Sequence, residues 1–239
     1  MASALAQDND DFELVIVDDA SEDGTWDYLS GLTGIRAYRN PKRIGLAANF
    51  NRAVELSRGR YVFILQDDDL AEPELVSTLA VEAGPELICF ATCLIDGDGR
   101  NPQVYWQSER RLLVPPAALL EFAAGWWLSS TQVIFERTVF DRLGGLDETF
   151  AIGSDAEVIL RWMLSCPTLI LPDVLARRRR WEGSVSARIE STLAMSDTMR
   201  ALVGSISARA RMAGLTDEEL QSLEQSLDAT FLAPYVQSG

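Results

Sequence analysis

Histidine is absent from this 239-residue chain, lysine occurs once, as Lys42, and cysteine occurs three times, as Cys89, Cys93 and Cys166. Without an imidazole there is no Ser-His-Asp or Cys-His chemistry and no His-ligated zinc. Acid–base work falls to carboxylates, tyrosine or Lys42. An odd number of cysteines without zinc-site spacing fits a reduced cytoplasmic protein with small buried thiols. No apolar run approaches the roughly 20 residues that a membrane span needs. Residues 1–11 are acidic and lack a signal-peptide pattern. These absences imply a cytoplasmic chain, or one resting peripherally at the inner face of the membrane. A basic surface is missing too: the net charge is −15, which argues against nucleic acid as a partner.

Hydrophobic residues make up 47% of the chain, enough for one sizeable α/β core. The most informative stretch is residues 60–73. Tyr61 to Leu65 are all apolar, which reads as a strand buried on both faces. It runs into three carboxylates, Asp67, Asp68 and Asp69. Open α/β sheets bind ligands beyond the carboxyl ends of their strands. Adjacent carboxylates repel one another, and hard cations such as Mg²⁺ or Mn²⁺ take oxygen ligands and bridge to substrate phosphates. A solvated acidic turn before a helix that has Pro73 and Glu74 in its first turn is the plainer reading. A second strand, residues 12–17, also ends in an acidic pair, Asp18 and Asp19, which favours a metal–diphosphate site.

The rest of the chain alternates strands with helices. Strands are expected at residues 35–39, 86–92, 103–107, 131–135 and 168–171. Helices are expected at 1–7, 26–32, 46–58, 73–83, 115–124, 138–143 and 154–165. Gly59 stands where a left-handed glycine would close the 46–58 helix. Two more helices, 187–212 and 217–229, follow a basic run at residues 177–180, and Thr216 with Glu219 fits a capping box. This pattern predicts a Rossmann-like α/β fold: a mostly parallel central sheet flanked by helices, with a C-terminal helical extension.

Four blocks, in order, resemble the inverting family 2 glycosyltransferases of the GT-A fold. They are Asp11-Phe-Glu-Leu-Val-Ile-Val-Asp-Asp-Ala-Ser-Glu-Asp-Gly-Thr25, Asn40-Pro-Lys-Arg-Ile-Gly-Leu-Ala-Ala-Asn-Phe-Asn-Arg-Ala53, Leu65-Gln-Asp-Asp-Asp-Leu-Ala-Glu-Pro73, and Arg142-Leu-Gly-Gly-Leu-Asp-Glu-Thr-Phe-Ala-Ile-Gly-Ser-Asp-Ala-Glu157. The resemblance implies a GT-A-like domain over residues 1–186 and a helical extension over 187–239. It implies a UDP- or dTDP-sugar donor, a saccharide or other hydroxyl acceptor, and hexosyl transfer with inversion. Asp19 would accept the base N3–H, with Asp18 holding base or ribose and Arg43 nearby. Asp68 and Asp69 would hold Mg²⁺ or Mn²⁺, with Asp67 close by; the first carboxylate of the usual motif falls on Gln66. Asp155 would be the base, with Glu157 as the alternative. Trp126 and Trp127 would form an acceptor platform or pack inside.

The chain departs from the family pattern in two places. It starts inside the helix that follows the family's first strand, which implies an N-terminally truncated domain with part of the base-binding wall missing. Near Arg179, Trp181 stands where the family often has histidine, and the run 177–180 reads either as a diphosphate clamp or as a solvated edge. Two alternatives to an active transferase follow: a non-catalytic nucleotide-sugar-binding relative, and a receiver-like phospho-accepting domain. The latter needs a lysine after a later strand, and Lys42 precedes the acidic triplet. The C-terminal helices have three readings: packing on the core, building a homo-oligomer, or lying at a membrane surface.

Overall fold

The computed structural model describes residues 1–104, 108–125, 129–150, 152–182 and 193–233. Two strands near the N-terminus, β1 (Val15–Asp18) and β2 (Arg36–Arg39), pair in parallel as a sheet of their own. The main sheet has seven strands. Its path runs through β3 (Tyr61–Phe63), β8 (Val133–Glu136), β5 (Leu87–Ile95), β9 (Thr168–Arg179) and β4 (Leu70–Ala71), with β6 (Gln103–Val104) added on β5 and β7 (Arg111–Leu113) on β9. Parallel pairing, expected for most of the sheet, occurs in β1–β2 and β5–β9; the other ladders are antiparallel. Apolar alternation is the same for either direction, so it cannot tell them apart.

The strand buried on both faces is β5, not β3. Leu87 to Ala91 are at most 1% exposed, whereas Tyr61, Val62 and Phe63 are only half-buried. β3 has a single neighbour, β8, so it forms one edge of the main sheet. Residues 105–107 of the expected outer strand lie outside the described residues; Gln103–Val104 forms β6. β9 is much longer than its apolar run, because exposed Pro172 and Asp173 bulge out of register with β5 and the ladder then resumes. Arg177 and Arg179 are thereby carried on a strand.

Side chains of β5 alternate between two cores. Leu87 and Cys89 join one cluster with α3 (Leu46–Leu56), α5 (Ala117–Ala123) and α7 (Ser154–Met163). Ile88 and Phe90 join the other with Leu75, Ile134, Leu169 and Leu171. The first cluster also takes in Leu202 and Ile206 of α8 (Leu193–Met212) and Leu223 and Leu227 of α9 (Asp217–Leu227). The C-terminal helices thus bury their apolar stripes in the same core as the α/β layer. Thr216 forms the capping box with Glu219 at the start of α9. Among the described residues no helix is long and apolar enough to cross a membrane.

Helix α3 ends at Leu56 with Ser57 extended behind it, and Gly59 is not left-handed. The expected glycine cap is unnecessary because the Glu13 carboxylate accepts the N–H groups of Arg58 and Gly59. A second polar anchor sits under α7. Glu157, wholly buried, accepts from Arg161 at 3.1–3.2 Å. Arg161 also donates to the carbonyls of Leu143 and Gly145, and Ser205 of α8 donates to Glu157. One ion pair therefore ties the loop after α6 (Arg137–Leu143), α7 and α8 together.

Removing the arginine would leave the buried carboxylate, among the described residues, with only the Ser205 hydroxyl and the more distant, half-exposed Arg209 at 3.7 Å. Arg161→Ala is expected to lower unfolding free energy by about 3–5 kcal/mol in urea melts, and an apolar double replacement, Glu157→Leu with Arg161→Met, to recover most of it.

Candidate active site

The first acidic pair is held by local hydrogen bonds. Asp18, 4% exposed, accepts from the Ser21 N–H at 3.1 Å and pairs with Arg39 at 3.2 Å. Asp19 accepts from Asn40 Nδ2 at 2.8 Å and from the N–H groups of Ile44 and Gly45 at 2.9 and 3.0 Å. It closes the entrance to α3, where Gly45 takes a φ of 94° that only glycine adopts readily. Partial burial pushes the Asp19 pKa up, but these hydrogen bonds and the nearby Arg43 charge outweigh it and hold the carboxyl below its usual value. Ala20 follows with a φ of 57°, strained backbone of the kind that gathers at functional sites. Arg43 is exposed and lines an open cleft of about 740 Å³ with Lys42, Asn51, Arg52 and Glu148.

The acidic triplet splits into three environments. Asp67 is exposed. Asp68 is half-buried; its Oδ2 accepts from the Trp181 indole N–H at 3.2 Å and its backbone carbonyl from Arg179 Nε at 2.9 Å. Asp69 is 5% exposed, and both its oxygens are engaged, by the Thr131 hydroxyl at 2.6 Å and the Arg179 N–H at 2.8 Å. Burial raises the Asp69 pKa, against the pull of those two donors.

Asp155 sits in the first turn of α7, behind the left-handed Gly153. Its Oδ2 accepts from the Ser130 N–H at 3.3 Å. The carboxyl adjoins an apolar pocket formed by Ile64, Val133, Leu146, Val158 and Trp162. Burial there raises its pKa, opposed by the Ala156 N–H, the Arg178 charge and the Ser130 N–H. Glu157 does not join it. Two residues along a helix turn a side chain about 200° around the axis, and Glu157 faces the Arg161 anchor instead.

The basic run divides by function. Arg177 pairs with Glu72. Arg179 is a backbone clasp, donating to the carbonyls of Asp68, Asp96 and Gly97. The sequence reading singled out Arg179, but the cation whose charge acts on both Asp69 and Asp155 is Arg178. Thr131 and Gln132, expected in the 131–135 strand, instead belong to the 3₁₀ turn Ser130–Gln132, and β8 begins at Val133. Trp126 and Trp127 lie outside the described residues.

Among the described residues, no three carboxylate or thiol groups converge as a ready-made metal cage. Among the described residues, one Asp68 oxygen, Oδ2, is engaged by a side chain, and buried Asp69 lies beside it. Such a site suits an ion that takes one or two carboxylates and completes its shell with phosphate oxygens and water, as Mg²⁺ does.

The profile described as "Glycosyl transferase family 2" matches residues 1–154. The chain belongs to this family. It is 27% identical over 212 residues to an uncharacterized protein of Mycobacterium tuberculosis, covering 80% of this chain and 65% of that one. It is 27% identical over 177 residues to the succinoglycan biosynthesis protein ExoO of Rhizobium meliloti, covering 69% and 50%. It is also 36% identical over 69 residues to WfaP of Escherichia coli, a UDP-Glc:alpha-D-GlcNAc-diphosphoundecaprenol beta-1,3-glucosyltransferase, covering 28% of each. The chain thus spans less than two thirds of the length of these relatives. Among solved structures, S. aureus TarS 1–349 in complex with UDP-GlcNAc superposes with a TM-score of 0.77 at 19% identity, over 95% of this chain and 66% of that one. The UDP complex of the same protein gives 0.73. The fold of this family 2 member is that GT-A fold.

A carboxyl whose pKa burial raises takes up a proton on folding between its ordinary and its raised value, so its charged form costs stability above that range. Asp155→Asn should therefore melt above the wild type near pH 7, and the gap should close as the pH falls toward about 4. Equal melting near neutrality would show that the carboxylate is not penalised.

Proposed function

We propose that this protein transfers a hexosyl unit from a nucleotide-sugar donor to a hydroxyl of a saccharide or similar acceptor, with inversion and dependence on Mg²⁺ or Mn²⁺. The observation that carries this reading is the setting of Asp155. It is a carboxylate on a helix start against an apolar pocket, tied through adjacent residues of one turn to the acidic motif. The printed ligands of TarS, UDP and UDP-GlcNAc, and the donor in the name of WfaP support a UDP-sugar.

In this mechanism Asp155 accepts the proton of the acceptor hydroxyl as its oxygen attacks the anomeric carbon. The bond to the diphosphate breaks, and its electron pair leaves with the nucleotide. A carboxylate whose pKa is raised by burial is a stronger base than a solvated one, which suits that role. The positive charge of Arg178 acts on both Asp69 and Asp155. Asp68, with Asp69 beside it, would hold the cation, which when bound neutralises the leaving diphosphate. Asp19, Asp18 and Arg43 would bound the nucleoside end. The unpaired, buried cysteines suit a cytoplasmic location.

A second reading, a binding relative without turnover, is favoured by one observation: among the described residues, β1–β2 and the main sheet share no ladder.

A melting-temperature panel of nucleoside diphosphates with and without Mn²⁺ tests the site. A UDP or dTDP shift that requires the metal and is lost in Asp68→Ala is expected. In a donor-turnover assay Asp155→Asn should cost about 10²–10⁴-fold in kcat. A metal-dependent shift with no turnover by the wild type would select the binding reading.

A further inference from the structure

Ser129, Ser130, Thr131 and Gln132 are 2%, 6%, 0% and 5% exposed. Four consecutive polar side chains are rarely buried, because each must find a partner or lose its hydration for nothing. One of their atoms, Gln132 Oε1, has no hydrogen-bond partner among the described residues. A turn that is kept in this unfavourable setting is expected to serve something besides packing.

Its hydrogen bonds run to both halves of the site. The Thr131 hydroxyl donates to Asp69 Oδ2 at 2.6 Å, and Gln66 Nε2 donates to Ser130 Oγ at 3.1 Å. Residues 130 and 131 are thus pinned to residues 69 and 66, on either side of Asp67 and Asp68. From the other side of the same turn, the Ser130 N–H donates to Asp155 at 3.3 Å. The turn itself is closed by Ser129, whose side chain accepts from the Thr131 N–H at 3.3 Å. The acidic motif and Asp155 are therefore spaced by one short, doubly pinned piece of backbone.

We propose that Thr131 and Gln66 are positioning residues that set the acidic motif and Asp155 at a fixed separation, Thr131 acting through Asp69 on Asp68, and Gln66 acting through Ser130 on Asp155. This deepens the transferase reading and rests on it. With both Asp69 oxygens taken by Thr131 and Arg179, the job of Asp69 is to hold Asp68 in place for the cation. Gln66 occupies a position where an acidic residue would meet Asp67 and Asp68 with a further like charge; its amide instead supplies the donor that Ser130 Oγ accepts.

The two arms are separable by experiment. The Mn²⁺ concentration giving half of the UDP-induced melting shift is measured for the wild type, Thr131→Val and Thr131→Ser. Loss of a hydrogen-bonding partner behind a ligand typically weakens metal affinity about 10–100-fold, and that rise is expected for Thr131→Val, with Thr131→Ser restoring the wild-type midpoint to within about twofold. Gln66→Leu should keep the Mn²⁺ midpoint and the donor KM but lose roughly tenfold in kcat for transfer to acceptor. A Thr131→Val protein that melts lower yet keeps the wild-type Mn²⁺ midpoint overturns the proposal, because the hydroxyl then only packs. So does a Gln66→Leu protein with an unchanged kcat. A wild type that shows no metal-dependent UDP shift overturns the transferase reading and the inference together.

Discussion

Asp69 is a carboxylate almost wholly removed from water, and the arrangement around it follows from the need to keep it bonded. A buried carboxylate is tolerated only where donors replace its lost hydration. Here the donors come from two distant parts of the chain, the N–H of Arg179 on β9 and the hydroxyl of Thr131 before β8. Satisfying one side chain therefore brings the acidic motif, the end of β9 and the turn that carries Ser130 to a single place. Arg179 reinforces it by donating to the carbonyls of Asp68, Asp96 and Gly97. The bulge at Pro172 and Asp173 is what lets β9 extend far enough to reach it.

Helix α7 joins the candidate site to the core by having two faces. Asp155 meets the site, while Glu157 and Arg161 hold the loop after α6 and the C-terminal helix α8. Gly153, just ahead of Asp155, takes a φ of 73° that favours glycine, and a Cβ there would lie 2.9 Å from the terminal methyl of Met199 of α8, which would have to shift. The family profile ends at residue 154, so nearly all of the helix bearing Asp155, and the helices that press on it, come from the part of the chain that the profile does not cover. Those helices belong to the same core as the sheet.

The other end of the molecule is less enclosed. Among the described residues, β1 pairs with β2 alone, and β3 with β8 alone. Val15, Ile16, Val17, Tyr61, Val62 and Phe63 are half-buried, although such apolar runs suit burial on both faces. Glu13, reaching the N–H groups of Arg58 and Gly59 while pairing with Arg36, joins the start of β1 to the approach to β3 by side-chain bonds where no ladder does so. Asn49 does the same further along, donating to the Val17 carbonyl at 3.0 Å.

Much of the fold was legible in the order of residues. Strands ending in acidic pairs, the glycine at the entrance to α3 and the capping box of α9 each depend on neighbours in sequence, and four ordered blocks resemble the family 2 glycosyltransferases, a resemblance that implies the GT-A fold. The sequence could not separate the members of its own clusters. Asp67, Asp68 and Asp69 look alike as letters, but solvent, an indole N–H and a buried hydroxyl make them different groups. Arg178 and Arg179 are adjacent on a strand, yet the charge of one lowers the pKa of two carboxyls and the other clasps backbone. Asp155 and Glu157 share a helical turn, and only packing shows which face meets the core. Local chemistry is written in short spacings; burial and partner identity arise from contacts between segments 60 to 110 residues apart, such as Thr131 with Asp69 and Arg179 with Asp69, and only the folded chain brings those together.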